Sequence, residues 1–414
     1  MRLDQMRTVI LGVLFAIISF GPAIAQQPVQ PESARKVTLT FEVSVPQDTP
    51  ENGGVCISGN HPVLGNWDGR GMTLTRIGKG RYSGEVTLPV GSRVEFKVTR
   101  GSWQTVEKDK HGGEVPNRVA IADQDKRIEL TVASWANGQL PPVEPTLTGD
   151  IRKHERFASK LLGNERTVLV YLPPGYDEQP GRRYPVLYMH DGQNIFDAGT
   201  SFLGVEWGVD ESAERLIASK TIEPIIIVGI YNNADRVEEY TPGETGGKGD
   251  RYARFLVEEV KPFIDRTYRT DPSRDKTGVA GSSLGGLISL YIVWRHPETF
   301  GRCGAVSPSL WWADGWLLKQ WEQADLSWAK AVRFWVDMGT AEGNAVDPES
   351  GVSRPVLGTR RLVGILERAG LVRGQHFAYL EAEGASHNEA AWAARIDDIL
   401  TYLYGLPADE AGAE

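Results

Sequence analysis

The sequence predicts two domains of different classes, an all-β sandwich followed by a three-layer α/β domain. Residues 36–134 alternate apolar and polar side chains with a period of two, which is typical of short half-buried strands. Residues 150–406 instead alternate continuous apolar runs with helical stretches, which indicates a mostly parallel sheet covered on both faces. Prolines in the segment 135–149 between the two patterns predict a stiff linker.

The first 25 residues have the features of a secretory signal peptide. Arg2 and Arg7 precede the apolar stretch 9–20, and residues 23–25 (AIA) supply the small residues that signal peptidase requires. Because this apolar stretch is shorter than the roughly 20 residues of a membrane span, cleavage is favoured over anchoring. We therefore expect a periplasmic or secreted protein with no membrane attachment after cleavage.

The composition argues against several functional classes. The formal net charge is −9, and loss of two arginines and one aspartate with segment 1–25 would leave −10, so no nucleic-acid partner is expected. The two cysteines, Cys56 and Cys303, fall in different predicted domains, and no disulfide framework is predicted. The sequence contains neither HExxH nor paired CxxC motifs, so we expect no metal and no cofactor.

The strands of the first domain are predicted from alternating apolar positions and from the turn residues between them. Glycine-rich turn signals occur at 51–54, 65–69 and 78–80. The alternating apolar residues are Val37, Leu39, Phe41, Val43 and Val45, then Val86 and Leu88, then Val94, Phe96 and Val98.

The elements of the second domain are predicted from the length and period of its apolar segments. Its carboxyl-terminal strand ends should carry the functional loops, as in other open α/β sheets. The last residues, 407–414, are predicted to form a disordered acidic tail. Strands are predicted at 168–172, 184–189, 224–230, 277–280, 332–336 and 377–380, and helices at 251–268, 284–295, 355–369 and 389–404.

Two adjacent serines precede the predicted helix 284–295, and only Ser283 fits the pattern G-x-S-x-G, with Gly281 and Gly285 on either side. This pattern is the nucleophile elbow, a strained strand-to-helix turn that exposes a serine hydroxyl. The glycines are expected because side chains would collide across the turn. Ser282 occupies a position that requires only a small side chain.

A nucleophilic serine needs a histidine base and an acid, in the chain order Ser, acid, His. Of the seven histidines, His376 and His387 follow the elbow at suitable positions. His376 begins a predicted strand, whereas His387 follows that strand in a loop at the expected catalytic edge, and we favour His387. For the acid, the segment 334–342 offers Asp337 and Glu342; Glu342 is favoured because it lies in the loop, and Asp337 stays open as an acid that braces the strand end.

Acyl transfer also requires hydrogen-bond donors for the negatively charged oxygen of the tetrahedral intermediate. The backbone N–H of Leu284, directly after the serine, is the first expected donor. The second is expected from the loop after an early strand, where Gly192 or Gln193 is the candidate.

With these residues placed, the region from about 166 to 406 resembles the family of α/β hydrolases that includes esterase D, feruloyl, acetylxylan and enterochelin esterases. The resemblance implies an α/β-hydrolase fold, esters of sugars, phenolic acids, thiols or siderophores as substrates, and Glu342 as the acid. The matching segments are YLPPGYD (171–177), YPVLYMHDGQNIFD (184–197), GSSLGG (281–286), SPSLWW (307–312), DMGTAEG (337–343) and GASHNEAAW (384–392).

The first domain resembles the starch-binding carbohydrate-binding modules of the glucoamylase type, which have an immunoglobulin-like sandwich. The resemblance lies in segments 58–76, 96–103 and 116–118. It implies carbohydrate contacts at Trp67 and Lys97. The second tryptophan of the family would fall near Val106, whereas Trp103 lies three residues earlier, so Trp103 is a weaker candidate. A core position for Trp67 stays equally open.

The leading hypothesis is an exported, metal-free serine carboxylesterase acting on a small-molecule or glycan ester. Two alternatives stay open: an acyltransferase that uses the same three residues on a sugar acceptor, and a catalytically inert glycan-binding protein. Trp311 and Trp312 are candidates for a substrate pocket or for burial near the sheet edge. The sequence leaves open the acyl and alcohol parts of the substrate, polysaccharide binding and the oligomeric state.

Overall fold

The computed structural model describes residues 35–50, 54–67, 69–113, 115, 117–136, 145–343, 347 and 350–406. The predicted signal segment, residues 137–144 of the predicted linker, and the predicted tail lie outside the described residues. Within the described part of the chain, no helix combines the length and the apolar character needed to cross a membrane.

The first domain is a β-sandwich, because its strands bury alternate side chains between two sheets. One four-stranded sheet has the order β4-β5-β1-β9, the other has the order β3-β2-β6-β8, and β10 pairs with β7 in a short ribbon. The strands are β1 (Lys36–Ser44), β2 (Cys56–Gly59), β3 (Met72–Thr73), β4 (Thr75–Gly78), β5 (Arg81–Pro89), β6 (Ser92–Thr99), β7 (Glu107–Lys108), β8 (Arg118–Ala122), β9 (Lys126–Thr131) and β10 (Ser134–Trp135).

The alternation along β1 illustrates how the sequence forms this sandwich. Val37, Leu39, Phe41 and Val43 point inward and are at most 3% exposed, while the intervening residues are less buried. Phe41 meets Phe96 of the opposite sheet edge-on, with 5.0 Å between ring centroids. The prediction of an all-β first domain is confirmed.

The second domain is built on an eight-stranded sheet with the order β11-β12-β14-β13-β15-β16-β17-β18. β12 runs antiparallel to both of its neighbours, and the strands from β14 to β18 are parallel. The strands are β11 (Asp150–Ala158), β12 (Glu165–Leu172), β13 (Val186–His190), β14 (Ile226–Ile230), β15 (Thr277–Ser282), β16 (Arg302–Val306), β17 (Arg333–Gly339) and β18 (Phe377–Ala382).

Helices cover both faces of this sheet, as the continuous apolar strands predict. Val168 and Val170 of β12 lie in the core on one face, and Leu169 and Tyr171 lie in the core on the other. The α/β prediction is therefore confirmed as three layers. The helices are α1 (Val209–Ala218), α2 (Arg236–Glu239), α3 (Gly249–Arg254), α4 (Lys261–Thr267), α5 (Leu284–Arg295), α6 (Trp312–Trp321), α7 (Arg354–Arg368), α8 (Glu389–Ala393) and α9 (Ile396–Tyr404), with a π-helical turn (Phe255–Val260) joining α3 to α4.

Element boundaries differ from the predicted ones where local contacts intervene. The predicted helix 284–295 coincides with α5, but the predicted helix 389–404 is divided into α8 and α9. The Asn388 side chain caps α8 by accepting a hydrogen bond from the backbone N–H of Ala391 at 2.9 Å. The apolar-run criterion missed β11, because this edge strand is mostly polar and mostly exposed. It also missed the buried strand β16.

The parallel strands place their carboxyl ends at one edge of the sheet. β13 ends at His190, β15 at Ser282, β17 at Gly339 and β18 at Ala382. The loops that follow these four strands contain most of the predicted site residues.

Candidate active site

Ser283 lies on a sharp turn between β15 and α5. Its backbone has φ 58° and ψ −120°, a conformation that residues other than glycine rarely adopt and that stores strain. Such a turn projects the serine side chain away from the backbone. Ser282 ends β15 and is 5% exposed, so only one of the two adjacent serines occupies the turn.

Close backbone approach explains two glycines around this turn. A Cβ at Gly281 would lie 3.0 Å from the backbone carbon of Gly285 and 3.0 Å from Cδ2 of His190. A Cβ at Gly286 would lie 3.0 Å from the carbonyl oxygen of Val306. At Gly285 the nearest atom would be 3.4 Å away, an ordinary contact, so this glycine of the motif is the less restricted one.

The imidazole of His387 reaches the serine from the loop between β18 and α8. Its Nε2 lies 2.9 Å from Oγ of Ser283. The ring stands edge-on against the indole of Trp392, with 4.9 Å between centroids, and 40% of the His387 side chain is exposed. His376 precedes β18, where its Nδ1 accepts a hydrogen bond from the backbone N–H of Val372.

Glu342 lies on the other side of the imidazole. Its Oε2 is 2.6 Å from Nδ1 of His387, a distance typical of a charge-assisted hydrogen bond. The residue is only 2% exposed, and its Oε1 accepts a hydrogen bond from the backbone N–H of Gly339 at 2.9 Å. The structure therefore brings Ser283, His387 and Glu342 into one hydrogen-bonded series.

Asp337, the alternative acid, is fully buried and has different partners. Its carboxylate accepts hydrogen bonds from Nε1 of Trp335 at 2.6 Å and from the backbone N–H of Ser307 at 2.9 Å. It also forms an ion pair with Arg395 at 3.2 Å. No hydrogen bond between described residues joins Asp337 to His387, and the contacts of Asp337 hold the end of β17 instead.

Ser307 connects these acidic and aromatic groups, although the sequence pattern assigned it no role. Its hydroxyl donates to Oε1 of Glu342. The same hydroxyl oxygen accepts hydrogen bonds from Nε1 of Trp392 at 3.1 Å and from Arg395 at 3.0 Å. Its φ of 42° turns the chain so that the side chain meets all three partners. Ser307 and Trp392 lie in the segments SPSLWW and GASHNEAAW, which carry the resemblance to the esterase family. Nothing else in the sequence indicated that these two residues belong to the site.

His387 and Glu342 each shift the pKa of the other. Desolvation in the cleft lowers the pKa of His387, but the carboxylate of Glu342, with weaker contributions from Glu389 and Glu95, outweighs it and raises the pKa above 6.5. Burial raises the pKa of Glu342, but the charge of His387 and hydrogen bonds, including that from Ser307, hold this pKa below its usual value. Glu342 therefore stays ionised beside the imidazole.

The three predicted oxyanion donors lie in two turns. Leu284 is the first residue of α5, and Gly192 and Gln193 begin a short 3₁₀ turn after β13. Among the described residues, the backbone N–H groups of these three positions donate to no other group, so they are available to a ligand. A Cβ at Gly192 would lie 2.4 Å from the backbone carbon of Gly229, because the turn packs directly on β14.

A buried polar network supports the turn of Gly192. Asp191 adopts φ 56° and accepts two hydrogen bonds from Arg236, at 2.7 and 2.6 Å. Asn232 donates a further hydrogen bond to Asp191 at 2.6 Å. Burial lowers the pKa of the neighbouring His190 to about 3, so its imidazole is neutral at ordinary pH. The sequence pattern did not identify Asp191 or Arg236 as parts of the site.

The two candidate pocket tryptophans have different environments. Trp311 is 50% exposed, whereas Trp312 is partly buried and donates from Nε1 to Oγ1 of Thr245 at 3.1 Å. The same segment contains Ser309, whose hydroxyl lies 3.2 Å from Oγ of Ser283. Trp311 thus has half of its surface exposed two residues after Ser309, and Trp312 is anchored in the fold.

One of the candidate carbohydrate residues of the sandwich, Trp103, contacts the second domain. Trp67 and Trp103 lie 6.0 Å apart between ring centroids, and Nε1 of Trp103 donates to the carbonyl oxygen of Trp67 at 3.1 Å. Trp103 also meets Phe202 edge-on at 5.7 Å. Phe202 belongs to the loop that begins with the Gly192 turn, so the aromatic pair adjoins the candidate site.

Charged residues of β6 face the same loops. Burial lowers the pKa of Lys97, and the carboxylates of Glu107 and Glu389 oppose this shift. Glu95, two residues away on β6, is one of the charges that raise the pKa of His387. Lys97 and Glu95 thus interact with residues of the loop and helix after β18. The sandwich therefore lies close to the candidate site, which no local sequence pattern indicated.

The α/β-hydrolase fold, with a serine on the elbow and a histidine and an acid in the order expected along the chain, defines the class: a carboxylic ester hydrolase of the serine hydrolase type. The family model described as "Putative esterase" matches residues 159–403. The chain belongs to that esterase family. A second family model, described as a starch binding domain, matches residues 36–127 and covers most of the sandwich.

Individual proteins are similar to this chain. YbbA of Bacillus subtilis is 26% identical over 256 residues, which are 59% of this chain and 94% of YbbA. An endo-1,4-beta-xylanase/feruloyl esterase of Xylanibacter ruminicola is 27% identical over 256 residues, which are 60% of this chain and 30% of that protein. The crystal structure of the enterobactin esterase FES from Shigella flexneri is 17% identical in sequence and has a TM-score of 0.50. The match covers 88% of this chain and 92% of the FES chain, and it supports the fold.

Proposed function

We propose that this protein is an exported serine carboxylesterase that uses Ser283, His387 and Glu342 as its catalytic triad. One observation carries the proposal: the imidazole of His387 is hydrogen-bonded to Ser283 at 2.9 Å and to Glu342 at 2.6 Å. A serine hydroxyl is a weak nucleophile until a base accepts its proton, and a buried acid holds the base in the required tautomer.

In the first half-reaction, Oγ of Ser283 attacks the ester carbonyl and its proton moves to Nε2 of His387. The carbonyl oxygen becomes negatively charged and accepts hydrogen bonds from the N–H of Leu284 and from Gly192 or Gln193. The tetrahedral intermediate then collapses. The alcohol leaves with the proton from His387, and the acyl group stays bound to Ser283.

In the second half-reaction, water attacks the acyl-enzyme and gives its proton to His387. Collapse of the second intermediate releases the carboxylic acid and returns the proton to Ser283. Throughout both steps Glu342 stays ionised and stabilises the imidazolium, in agreement with the lowered pKa of this acid.

We propose that the substrate is an ester of a carbohydrate with a carboxylic acid, either a simple one or a phenolic one. The supporting observations are the position of Trp67 and Trp103 beside the Phe202 loop, and the match of this domain to the starch binding domain. Aromatic rings bind sugars by stacking on their apolar faces, and both of these rings are partly exposed. A feruloyl esterase among the relatives agrees with a phenolic acyl group. A screen of purified protein against acetyl, feruloyl and siderophore esters tests this substrate class.

Export to the periplasm or the medium is proposed from the composition of residues 1–25. Expression of the full chain in a Gram-negative host, followed by cell fractionation and amino-terminal sequencing, tests it. The expected mature terminus is Gln26. Full-length protein retained in the cytoplasm would contradict export without bearing on the esterase chemistry.

Transfer of the acyl group to a sugar acceptor is the second candidate, because the sandwich borders the site and could hold such an acceptor. Products are measured with and without a maltooligosaccharide. An increase of acylated glycan at the expense of free acid indicates a transferase, and unchanged release of acid indicates a hydrolase.

The decisive experiment compares Ser283→Ala with Ser282→Ala. The two serines are adjacent, but only Ser283 contacts His387, so Ser282→Ala is the matched control. We expect Ser283→Ala to lose hydrolysis of a chromogenic acetate ester and labelling by a fluorophosphonate probe, and Ser282→Ala to retain both. Absence of labelling in the folded native protein would instead favour the inert glycan-binding alternative.

A further inference from the structure

Three acidic side chains form a cluster apart from the catalytic series. Glu206, Asp210 and Glu211 lie just before α1 and in its first turn. One carboxylate oxygen from each lies within 4.8 Å of the other two, judged over the described residues. Asp210 is 0% exposed, and Glu206 and Glu211 are partly buried. We call these three residues the acidic cluster.

Each carboxylate of the acidic cluster has a buried oxygen without a hydrogen-bond partner among the described residues. These atoms are Oε2 of Glu206, Oδ1 of Asp210 and Oε2 of Glu211. The opposite oxygens of Asp210 and Glu211 are satisfied by Thr148, through its backbone N–H at 2.7 Å and its hydroxyl at 2.9 Å. A fully buried carboxylate oxygen with no donor is unfavourable, and a ligand that accepts its lone pair removes the penalty.

No ion pair formed by the described residues involves the acidic cluster. Either a proton or a cation must therefore reduce the mutual repulsion of the three carboxylates.

We propose that Glu206, Asp210 and Glu211 bind one Ca²⁺ ion. Calcium takes oxygen ligands at about 2.3–2.6 Å, so two ligand oxygens on opposite sides of the ion are separated by about 5 Å. The three carboxylate oxygens of the acidic cluster lie within 4.8 Å of one another, which fits this geometry. Water completes the coordination, because Ca²⁺ requires six to eight oxygens.

The position of the acidic cluster indicates a structural role for the ion. Thr148 lies at the end of the predicted linker, two residues before β11, and α1 follows the loop that contains Gly192 and Phe202. The ion would hold the connection between the two domains against the loop beside the candidate active site. It would contribute no group to ester hydrolysis, so this proposal stands independently of the proposed function.

Terbium luminescence tests the site directly in the full-length protein. Tb³⁺ substitutes for Ca²⁺, and Trp207, adjacent to Glu206 and 5% exposed, can sensitise its emission. After removal of metal with EDTA, we expect Tb³⁺ emission on excitation of tryptophan, and its displacement by Ca²⁺. Ca²⁺ should also raise the unfolding temperature of the EDTA-treated protein by about 5–10 °C at about 100 times Kd.

Asp210→Asn is the test variant, because an amide keeps the acceptor for Thr148 and removes one charge. Asp398→Asn is the control, since Asp398 has the same position in α9 that Glu211 has in α1 but is exposed. We expect Asp210→Asn to weaken Tb³⁺ and Ca²⁺ binding at least about tenfold, with Asp398→Asn unchanged. Should Asp210→Asn fail to fold, Glu206→Gln replaces it.

Occupation of the acidic cluster by a proton would give the opposite result. If a proton rather than a cation occupies the acidic cluster, Tb³⁺ gives no sensitised emission and Ca²⁺ leaves the unfolding temperature of the native protein unchanged. Asp210→Asn would then be as stable as the native protein in EDTA, or more so. That combination would overturn the calcium proposal.

Discussion

Replacement of Glu342 by glutamine tests which acid belongs to the triad. The glutamine oxygen can still accept the hydrogen bonds from Gly339 and Ser307, so the side chain should keep its place. The new amide nitrogen would face Nδ1 of His387, 2.6 Å away. Because an amide N–H group is a donor, it cannot accept a hydrogen bond from the N–H at Nδ1. The imidazole should therefore adopt the other tautomer, in which Nε2 carries the hydrogen and points it at Ser283.

The expected loss is large because that tautomer cannot accept the serine proton. An acid-to-amide change of this kind in a Ser-His-Asp enzyme lowers kcat by about 10⁴-fold, which is about 5.4 kcal/mol of transition-state stabilisation. Glu342 is only 2% exposed, so bulk water cannot replace its carboxylate beside His387. We expect kcat to fall by about 10³- to 10⁴-fold with little change in KM.

Asp337→Asn is the matched comparison, since Asp337 is equally buried and close in the chain but contacts Arg395 rather than His387. Loss of one partner of a buried ion pair costs about 3–5 kcal/mol of stability. We expect this variant to unfold at a lower temperature and to retain kcat within about tenfold while folded. The assay is hydrolysis of a chromogenic acetate ester, with thermal unfolding measured on the same preparations.

The reverse pattern would refute the reasoning. A folded Glu342→Gln protein with kcat within tenfold of the native value, beside a folded but inactive Asp337→Asn protein, would assign the acid to Asp337. Loss of activity in both variants with unchanged unfolding temperatures would contradict the bracing role of Asp337.

The remaining predictions address the surroundings of the triad. Ser307→Ala removes a donor to the charged Glu342, and kcat should fall by about 10- to 100-fold, with Ser309→Ala as a second serine variant for comparison. Gly281→Ala should lower both activity and unfolding temperature, whereas Gly285→Ala should be tolerated, because the added Cβ meets atoms at 3.0 Å in the first case and 3.4 Å in the second. The pH profile of kcat/KM should fall on the acid side with a pKa above 6.5, since protonated His387 cannot accept a proton; Glu95→Gln removes a charge that raises this pKa and should move the fall to lower pH. Trp103→Ala should raise KM for a glycan-linked ester and leave hydrolysis of a small acetate ester unchanged; equal effects on both substrates would contradict a sugar-binding role for this ring.

Local sequence patterns predicted the two fold classes and most core strands. The alternation through Phe41 and the apolar runs of the second domain specify which faces are buried, and burial is the main driving force of folding. The elbow is also a local feature, because the conformation of Ser283 depends on small residues within a few positions. The edge strand β11 escaped prediction because its pairing with β12, rather than its own composition, makes it a strand.

The choice between acids shows where local information ends. Glu342 and Asp337 are five positions apart in the chain, and chain order alone permits either as partner of the histidine. The structure separates them because Gly339 and Ser307 orient Glu342 toward His387, while Trp335 and Arg395 hold Asp337 away from it. The contacts of Ser307 and Arg395 join segments far apart in the chain, and no sequence spacing encodes them.

The sequence by itself determined the domain classes, the position of the elbow and the candidate histidine, because each depends on neighbours along the chain. Tertiary structure decided the contacts of Ser307, the network around Asp191, the acidic cluster and the contact of Trp103 with Phe202. Most of these features depend on the distance and orientation of side chains far apart in sequence, whereas the acidic cluster depends on how one short segment is folded and buried. Only the packing of the sheets and loops brings those side chains within hydrogen-bonding or van der Waals distance.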